Sequence, residues 1–142
     1  MMTLFRDLGL VLGLLCLSLL PRLALLYSKG FEIFHADHAV FGLMAKHILE
    51  GRLMVYYYGQ GYMGSIEAFM AALIYLFRGM DIYSVLLAPL AFYLLFLIVN
   101  FYLLKRVFGL KVSLMANLLL ALSSPYLTAL SVTALGGYPE TL

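Results

Sequence analysis

Long apolar stretches dominate this chain and limit the folds that it can adopt. A helix rises about 1.5 Å per residue, so roughly 20 apolar residues cross the hydrocarbon layer of a membrane, which is about 30 Å thick. Three stretches fit that length, at residues 8–27, 82–104 and 112–130. Hydrophobic residues make up 65% of the chain and charged residues 11%, whereas a soluble domain carries about 25% charged residues. The sequence therefore predicts an all-α membrane protein with three transmembrane helices.

Charge and cysteine content argue against several other classes. The formal net charge is +2 and the basic residues form no dense patch, so we expect no nucleic-acid partner. The single cysteine, Cys16, lies in an apolar run and can form no disulfide within the chain. No small-residue cleavage site follows the first apolar stretch, which favours a membrane anchor over a removed signal peptide.

The segment 65–79 is the ambiguous part of the topology. Its apolar run, residues 68–77, would extend about 15 Å as a helix, which is half of the hydrocarbon layer. A helix in the membrane surface is favoured, and a tilted crossing helix stays open as the alternative. With the surface helix, the positive-inside rule is obeyed by the basic residues that flank the spans: Arg6, Lys105, Arg106 and Lys111.

The favoured topology defines one multi-pass membrane domain, residues 1–142, in the cell (inner) membrane. Its N-terminus is cytoplasmic, an external loop at 28–81 holds two juxtamembrane helices, and the tail at 131–142 is external. The first juxtamembrane helix is expected at 38–50 and the second within 65–79. Glu67 and Arg78 bracket the second helix, which suits a position near the lipid headgroups.

The external loop begins with a His-rich segment that opens on an acid. Asp37 precedes an amphipathic helical pattern that ends at Gly51. Its carboxylate can cap that helix, or it can act as a general base at the mouth of a membrane cavity. A metal site with His35 and His38 is a weaker interpretation, because the spacing is tight and no second group of ligands supports it. We expect no cofactor.

A block of tyrosines and glycines, residues 56–64, follows this helix and fits neither a helix nor a strand. The tyrosines are typical of an aromatic belt at a membrane surface. They are equally suited to binding a sugar or a polar headgroup, with Gln60 as both donor and acceptor. Lys46 and Glu50 have the spacing of a surface ion pair on the preceding helix.

Arg22 and the tail supply the other polar candidates. Arg22, near the outer end of the first span, can snorkel to the surface or bind a lipid phosphate. Tyr138 and Glu140 lie in the external tail, on the same side as Asp37 in the favoured topology. Two convergent carboxylates can divide base and positioning roles, but the Gly and Pro residues around them also fit an ordinary turn.

Three blocks of the sequence resemble a known family when they are taken together in this order. They cover residues 37–51, 58–67 and 136–142, and none would be specific alone. The chain is similar to bacterial membrane glycosyltransferases of the GT-C class, in the group with dolichyl-phosphate-mannose–protein mannosyltransferase-like domains. The resemblance implies transfer of a sugar from a polyprenyl-phosphate donor to an acceptor hydroxyl, on a lipid, protein or glycan, at the outer membrane face.

The resemblance also implies that Asp37 is the catalytic residue and that Glu140 helps to position substrates, while Arg22 stays the lipid-phosphate candidate by its charge and position. The substrate-binding candidates are His38, Tyr58, Gln60, Tyr62, Tyr138 and Glu140. Many relatives have a second acid where this chain has His38, so a divalent metal is not supported here. Because family members are several times longer, we expect the chain to be the N-terminal part of such an enzyme and inactive alone.

Two other functions remain open. A non-catalytic membrane partner or lipid-binding protein would keep the fold without the chemistry. A transporter fragment is suggested by Arg22 and the prolines near the spans, but the charged residues gather at one face rather than at mid-membrane.

Overall fold

Residues 2–28 and 36–134, which the computed structural model describes, form six helices and one short β-hairpin. The helices are α1 (Met2–Leu26), α2 (Ala36–Leu49), α3 (Ile66–Arg78), α4 (Ile82–Phe108), α5 (Leu110–Ala121) and α6 (Pro125–Leu130). The antiparallel hairpin of β1 (Tyr56–Tyr57) and β2 (Gln60–Gly64) lies between α2 and α3. The predicted all-α class is confirmed, with this hairpin as its only sheet among the described residues.

Helices α1 and α4 pack against each other in antiparallel directions. Asp7, near the start of α1, forms an ion pair with Lys105, near the end of α4. At the opposite end, the rings of Tyr27 and Tyr83 stack with their centroids 5.2 Å apart. The region 28–81 therefore leaves and rejoins this helix pair at the same end. We call this the loop end, and we call the end with Lys105 the basic end.

Helices α1 and α4 are long and apolar enough to cross a membrane, through the segments Phe5–Leu26 and Ile82–Phe108. They correspond to the predicted spans 8–27 and 82–104. Only 22% of the most apolar part of the first segment is buried within the structure. Phe5, Leu12 and Leu20 are each more than half exposed. Apolar surface of this extent marks contact with lipid or with another protein.

The third predicted span, 112–130, is not a continuous helix. Helix α5 has 12 residues and ends at Ala121, and α6 begins only at Pro125. Because proline has no N–H, it cannot donate to the carbonyl four residues earlier, which is that of Ala121. The chain still runs from the basic end to the loop end, where Val132 packs against Leu26. Two helices of spanning length are shown, and a third span stays a prediction.

Helices α2 and α3 pack together against the N-terminal half of α4, and they match the two predicted juxtamembrane helices within two residues. Small side chains allow the close approach, since Ala68, Ala71 and Ala72 of α3 are all buried. A Cβ at Gly42 of α2 would lie 3.0 Å from the Tyr75 hydroxyl. The same packing buries Glu67 completely, so its carboxylate lies in the protein interior.

The tyrosine and glycine block, residues 56–64, forms the hairpin, so the prediction that it fits neither a helix nor a strand is wrong. Tyr57 of β1 pairs with Gln60 of β2 across a turn at Tyr58 and Gly59. Gly59 has a φ of 79°, a conformation that costs glycine little and other residues more. Tyrosine favours extended backbone, so the tyrosines on either side of this turn are suited to strands.

Candidate functional site

Asp37 lies in the first turn of α2, where its half-buried carboxylate meets the hairpin. The hydroxyl of Tyr57 donates a hydrogen bond to Oδ1 of Asp37 over 3.0 Å. Asp37 is the second residue of α2, and its side chain faces the hairpin. An acid in a first turn still interacts favourably with the helix dipole. A carboxylate that is partly exposed can accept a proton from a bound hydroxyl.

Tyr57 is the most constrained side chain of this site. It is 5% exposed, and its ring centroid lies 4.9 Å from that of Phe41. Burial is the main cause that raises the pKa of Tyr57. The hydrogen bond to Asp37 and the negative charges of Asp37 and Glu67 raise that pKa further. Tyr57 therefore remains a hydrogen-bond donor even in alkaline solution.

His38 lies inside the fold, beside Asp37 in the chain. It is 1% exposed, and it lines an open pocket of about 300 Å³ between α2 and the start of α4. Tyr75 and Asp81 also line this pocket. Burial first, and the charge of Asp81 second, raise the pKa of Tyr75, so its hydroxyl stays protonated. A ligand that enters this pocket could approach His38.

The carboxylate of Asp81 is already held by protein donors. Its Oδ1 accepts hydrogen bonds from Nη1 of Arg78, over 2.9 Å, and from the backbone N–H of Ser84, over 2.7 Å. The second bond caps α4, as a carboxylate at an N-cap does. The pocket beside His38 is therefore suited to a neutral polar group rather than to a free ion.

Tyr58 links the hairpin to the C-terminal end of α2. Its hydroxyl oxygen lies 2.5 Å from Nδ1 of His47. On the same turn, the predicted ion pair of Lys46 and Glu50 is confirmed, with 3.9 Å between Nζ and Oε1. Glu50 also accepts a hydrogen bond from Arg52, which lowers the pKa of this exposed carboxyl.

Gln60 and Tyr62, which both lie on β2, differ in their burial. Gln60 lies opposite Tyr57 in the hairpin, and its Oε1 is buried without a hydrogen-bond partner in the part of the chain that the structure describes. Its acceptor capacity is therefore unused by the described residues. Tyr62 is 83% exposed.

Arg22 is fully buried, so the snorkelling interpretation is wrong. Its guanidinium donates four hydrogen bonds of 2.9–3.0 Å, to Oγ of Ser123 and Ser131 and to the carbonyls of Ser18 and Ala121. The guanidinium carbon also lies 4.0 Å from the ring centroid of Tyr93. These neutral contacts join α1, α4 and the break between α5 and α6. A lipid phosphate would have to compete with them.

The remaining candidates, His35, Tyr138 and Glu140, lie outside the described residues. Among residues 2–28 and 36–134, no group of three or more His, Cys, Asp or Glu side chains could hold a metal ion.

Sequence reasoning missed Tyr57 and the buried Glu67. Tyr57 is the middle one of three consecutive tyrosines, and nothing in the local sequence distinguishes it from its neighbours until a hairpin is assumed. Side chains then alternate between two faces, so that Tyr57 points opposite to Tyr56 and Tyr58. The structure thus brings together Asp37 and Tyr57, with Gln60 opposite Tyr57 in the hairpin and His38 on a neighbouring pocket.

In comparisons with known proteins, no protein-family model, curated protein or solved structure matches this chain.

Proposed function

We propose that this chain carries the catalytic carboxylate of a membrane glycosyltransferase of the GT-C type. The single observation that carries the proposal is the position of Asp37. Its carboxylate is half-buried, is held by a neutral donor, and lies in the helical layer at the loop end of two helices long enough to span a membrane. A carboxylate in that setting can serve as the base for a hydroxyl acceptor delivered at a membrane surface.

The proposed reaction transfers a sugar from a polyprenyl-phosphate donor. Asp37 removes the proton of the acceptor hydroxyl as its oxygen bonds to the anomeric carbon. The bond between that carbon and the phosphate oxygen breaks, and the electron pair leaves with the polyprenyl phosphate. Gln60 accepts a hydrogen bond from a sugar hydroxyl, and the pocket beside His38 offers the Tyr75 hydroxyl. Tyr58, Tyr62, Tyr138 and Glu140 complete the proposed binding set, with Arg22 as the lipid-phosphate candidate.

The proposed membrane position places the basic end in the cytoplasm and the loop end outside, with the path from Leu110 to Ala134 as a third crossing. Apolar surface on α3 supports a position in the lipid interface. One face of this helix packs into the protein through its alanines, and the opposite face is exposed. The exposed residues are Ile66, Phe69, Leu73, Leu76 and Phe77. A helix with this division lies in the plane of a membrane surface rather than across it.

Transfer can be measured in membranes that contain the complete reading frame encoding these residues. A radiolabelled sugar on polyprenyl phosphate is supplied, and labelled acceptor and released polyprenyl phosphate are both counted. We expect the two to appear in equal amounts, and we expect the 142-residue chain alone to be inactive. Absence of any donor-dependent turnover by the complete protein would contradict the proposal.

An apolar groove favours a second candidate function, that of a lipid-binding membrane partner without chemistry. The groove has a volume of about 510 Å³ and lies between the loop before the hairpin and the start of α3. Its lining includes Leu53, Val55, Ile66 and Phe69. A photoreactive polyprenyl-phosphate sugar that labels this groove, in a protein that never releases the sugar, would select this function over the transferase.

Cysteine labelling tests the proposed topology. Gly59 and Gly79 have left-handed φ values, so the labels belong at exposed positions nearby. With Cys16 replaced by serine, Tyr62→Cys and Met80→Cys should both react with a membrane-impermeant maleimide added to intact cells. A cysteine at Val107, at the basic end, should react only after the membrane is opened. If Tyr62→Cys and Met80→Cys reacted from opposite sides of the membrane, α3 would cross it.

A further inference from the structure

We infer that Tyr57 is the positioning residue of Asp37: its hydroxyl fixes Oδ1 of the carboxylate and leaves Oδ2 to receive the proton of the acceptor. The inference rests on the proposed function, and it adds a residue for which that function had no role. It is drawn from the hydrogen bond of 3.0 Å between the two side chains and from the burial of the tyrosine.

Tyr57 is held firmly enough to direct a neighbour. Its backbone is paired with Gln60, its ring rests against Phe41, and its side chain is almost completely buried. A tyrosine side chain has few rotatable bonds, so a packed ring places its hydroxyl at a defined point. The Tyr57 hydroxyl therefore sets the orientation of the Asp37 carboxylate, which is half-buried in the first turn of α2.

The chemistry of the donor matters as much as its position. An arginine or lysine at this place would neutralise the carboxylate and weaken it as a base. A phenol supplies a directional hydrogen bond without a full charge, so the carboxylate keeps its negative charge for proton transfer. Burial and the nearby acids Asp37 and Glu67 raise the pKa of Tyr57, which keeps the phenol protonated.

The hairpin does not depend on this one hydrogen bond. Tyr58 contacts His47 at the other end of α2, and Oγ of Ser65 donates to the carbonyl of Met54 beside the hairpin. Loss of the Tyr57 hydroxyl alone should therefore leave the ring in place against Phe41. A Tyr57→Phe variant isolates the positioning effect from the packing.

The contact itself can be tested on the 142-residue chain without an activity assay. A trifluorotyrosine is introduced at position 57 or, as a matched control, at exposed position 56, and its ionisation is followed by ¹⁹F NMR. We expect the phenol at 57 to ionise at a higher pH than the one at 56. Asp37→Asn should lower the pKa at 57, because a negative neighbour is removed, and should leave that at 56 unchanged. Identical titrations at both positions would overturn the inference.

The positioning role is tested by kinetics of the complete protein. Tyr57→Phe should lower kcat roughly tenfold or more while KM stays within about twofold, because the lost hydrogen bond acts on the base rather than on substrate binding. Tyr56→Phe, the same change on an exposed neighbour, should leave kcat unchanged. An active enzyme that loses transfer with Asp37→Asn but not with Tyr57→Phe would overturn this inference and leave the proposed function standing. Full transfer by Asp37→Asn would overturn both.

Discussion

Arg22→Met should lower the free energy of unfolding by about 3 kcal/mol or more, because it keeps an unbranched apolar stem but removes the guanidinium. The guanidinium supplies four hydrogen bonds, three to buried acceptors and one to the half-buried hydroxyl of Ser123. Methionine can donate none of them. A buried acceptor that loses its donor costs about 1–3 kcal/mol. Unfolding in a mixed detergent, followed by loss of helical circular dichroism, would measure the change.

Arg22→Lys and Cys16→Ala are the matched controls. Lysine keeps the charge but lacks the planar fork that reaches several acceptors at once, so its effect should be intermediate. Cys16 is exposed on the same helix, and its replacement should leave stability unchanged. If Arg22→Met is as stable as the wild type, these hydrogen bonds do not support the fold.

The reason for this sensitivity is the break in the third apolar stretch. The last carbonyls of any helix have no partner within the helix. Here the carbonyl of Leu120 accepts a hydrogen bond from the Tyr93 hydroxyl over 2.7 Å, and that of Ala121 accepts one from Arg22 over 3.0 Å. A positive charge at a helix C-terminus is also favoured by the helix dipole. In the proposed topology the break lies at membrane depth, where non-helical backbone is tolerated if protein groups satisfy it in this way.

The helices could be predicted because their signals are local. Helices α2 and α3 were located within two residues, since apolar spacing and a glycine after each helix mark their extent. The first two long apolar stretches likewise became α1 and α4. The third was interrupted near its predicted end, although the residues Ser123, Ser124 and Pro125 already carried the signal for a break.

The site depends on contacts between distant parts of the chain, and sequence spacing does not reveal them. Tyr57 and Asp37 are 20 residues apart, and Arg22 and Ser131 are 109 apart. Asp37 was identified by its place at the start of a helix and by resemblance. Three features could not be predicted in this way: the partner of Asp37, the burial of Glu67 and the inward direction of Arg22. They arise only when the hairpin, the helices and the break between α5 and α6 pack against one another.

Asp37→Asn should reduce sugar transfer by the complete protein by roughly 10²-fold or more, since general-base catalysis contributes about 10²–10⁴-fold. Asparagine has the same shape, and its carbonyl oxygen can still accept the hydrogen bond from Tyr57. The fold should therefore survive, while the group that takes the proton is lost. Initial rates with a polyprenyl-phosphate sugar at saturating acceptor would measure the change.

Glu50→Gln serves as the matched control, because it removes a carboxylate from the same helix. Glu50 is exposed and engaged with Lys46 and Arg52, away from the Tyr57 contact, so its replacement should leave the rate within about twofold. Equal losses in both variants would indicate a general effect of charge on the helix. A normal rate for Asp37→Asn, with Glu50→Gln also normal, would remove Asp37 from the mechanism, because a residue that takes the acceptor proton cannot be replaced by a neutral amide without loss.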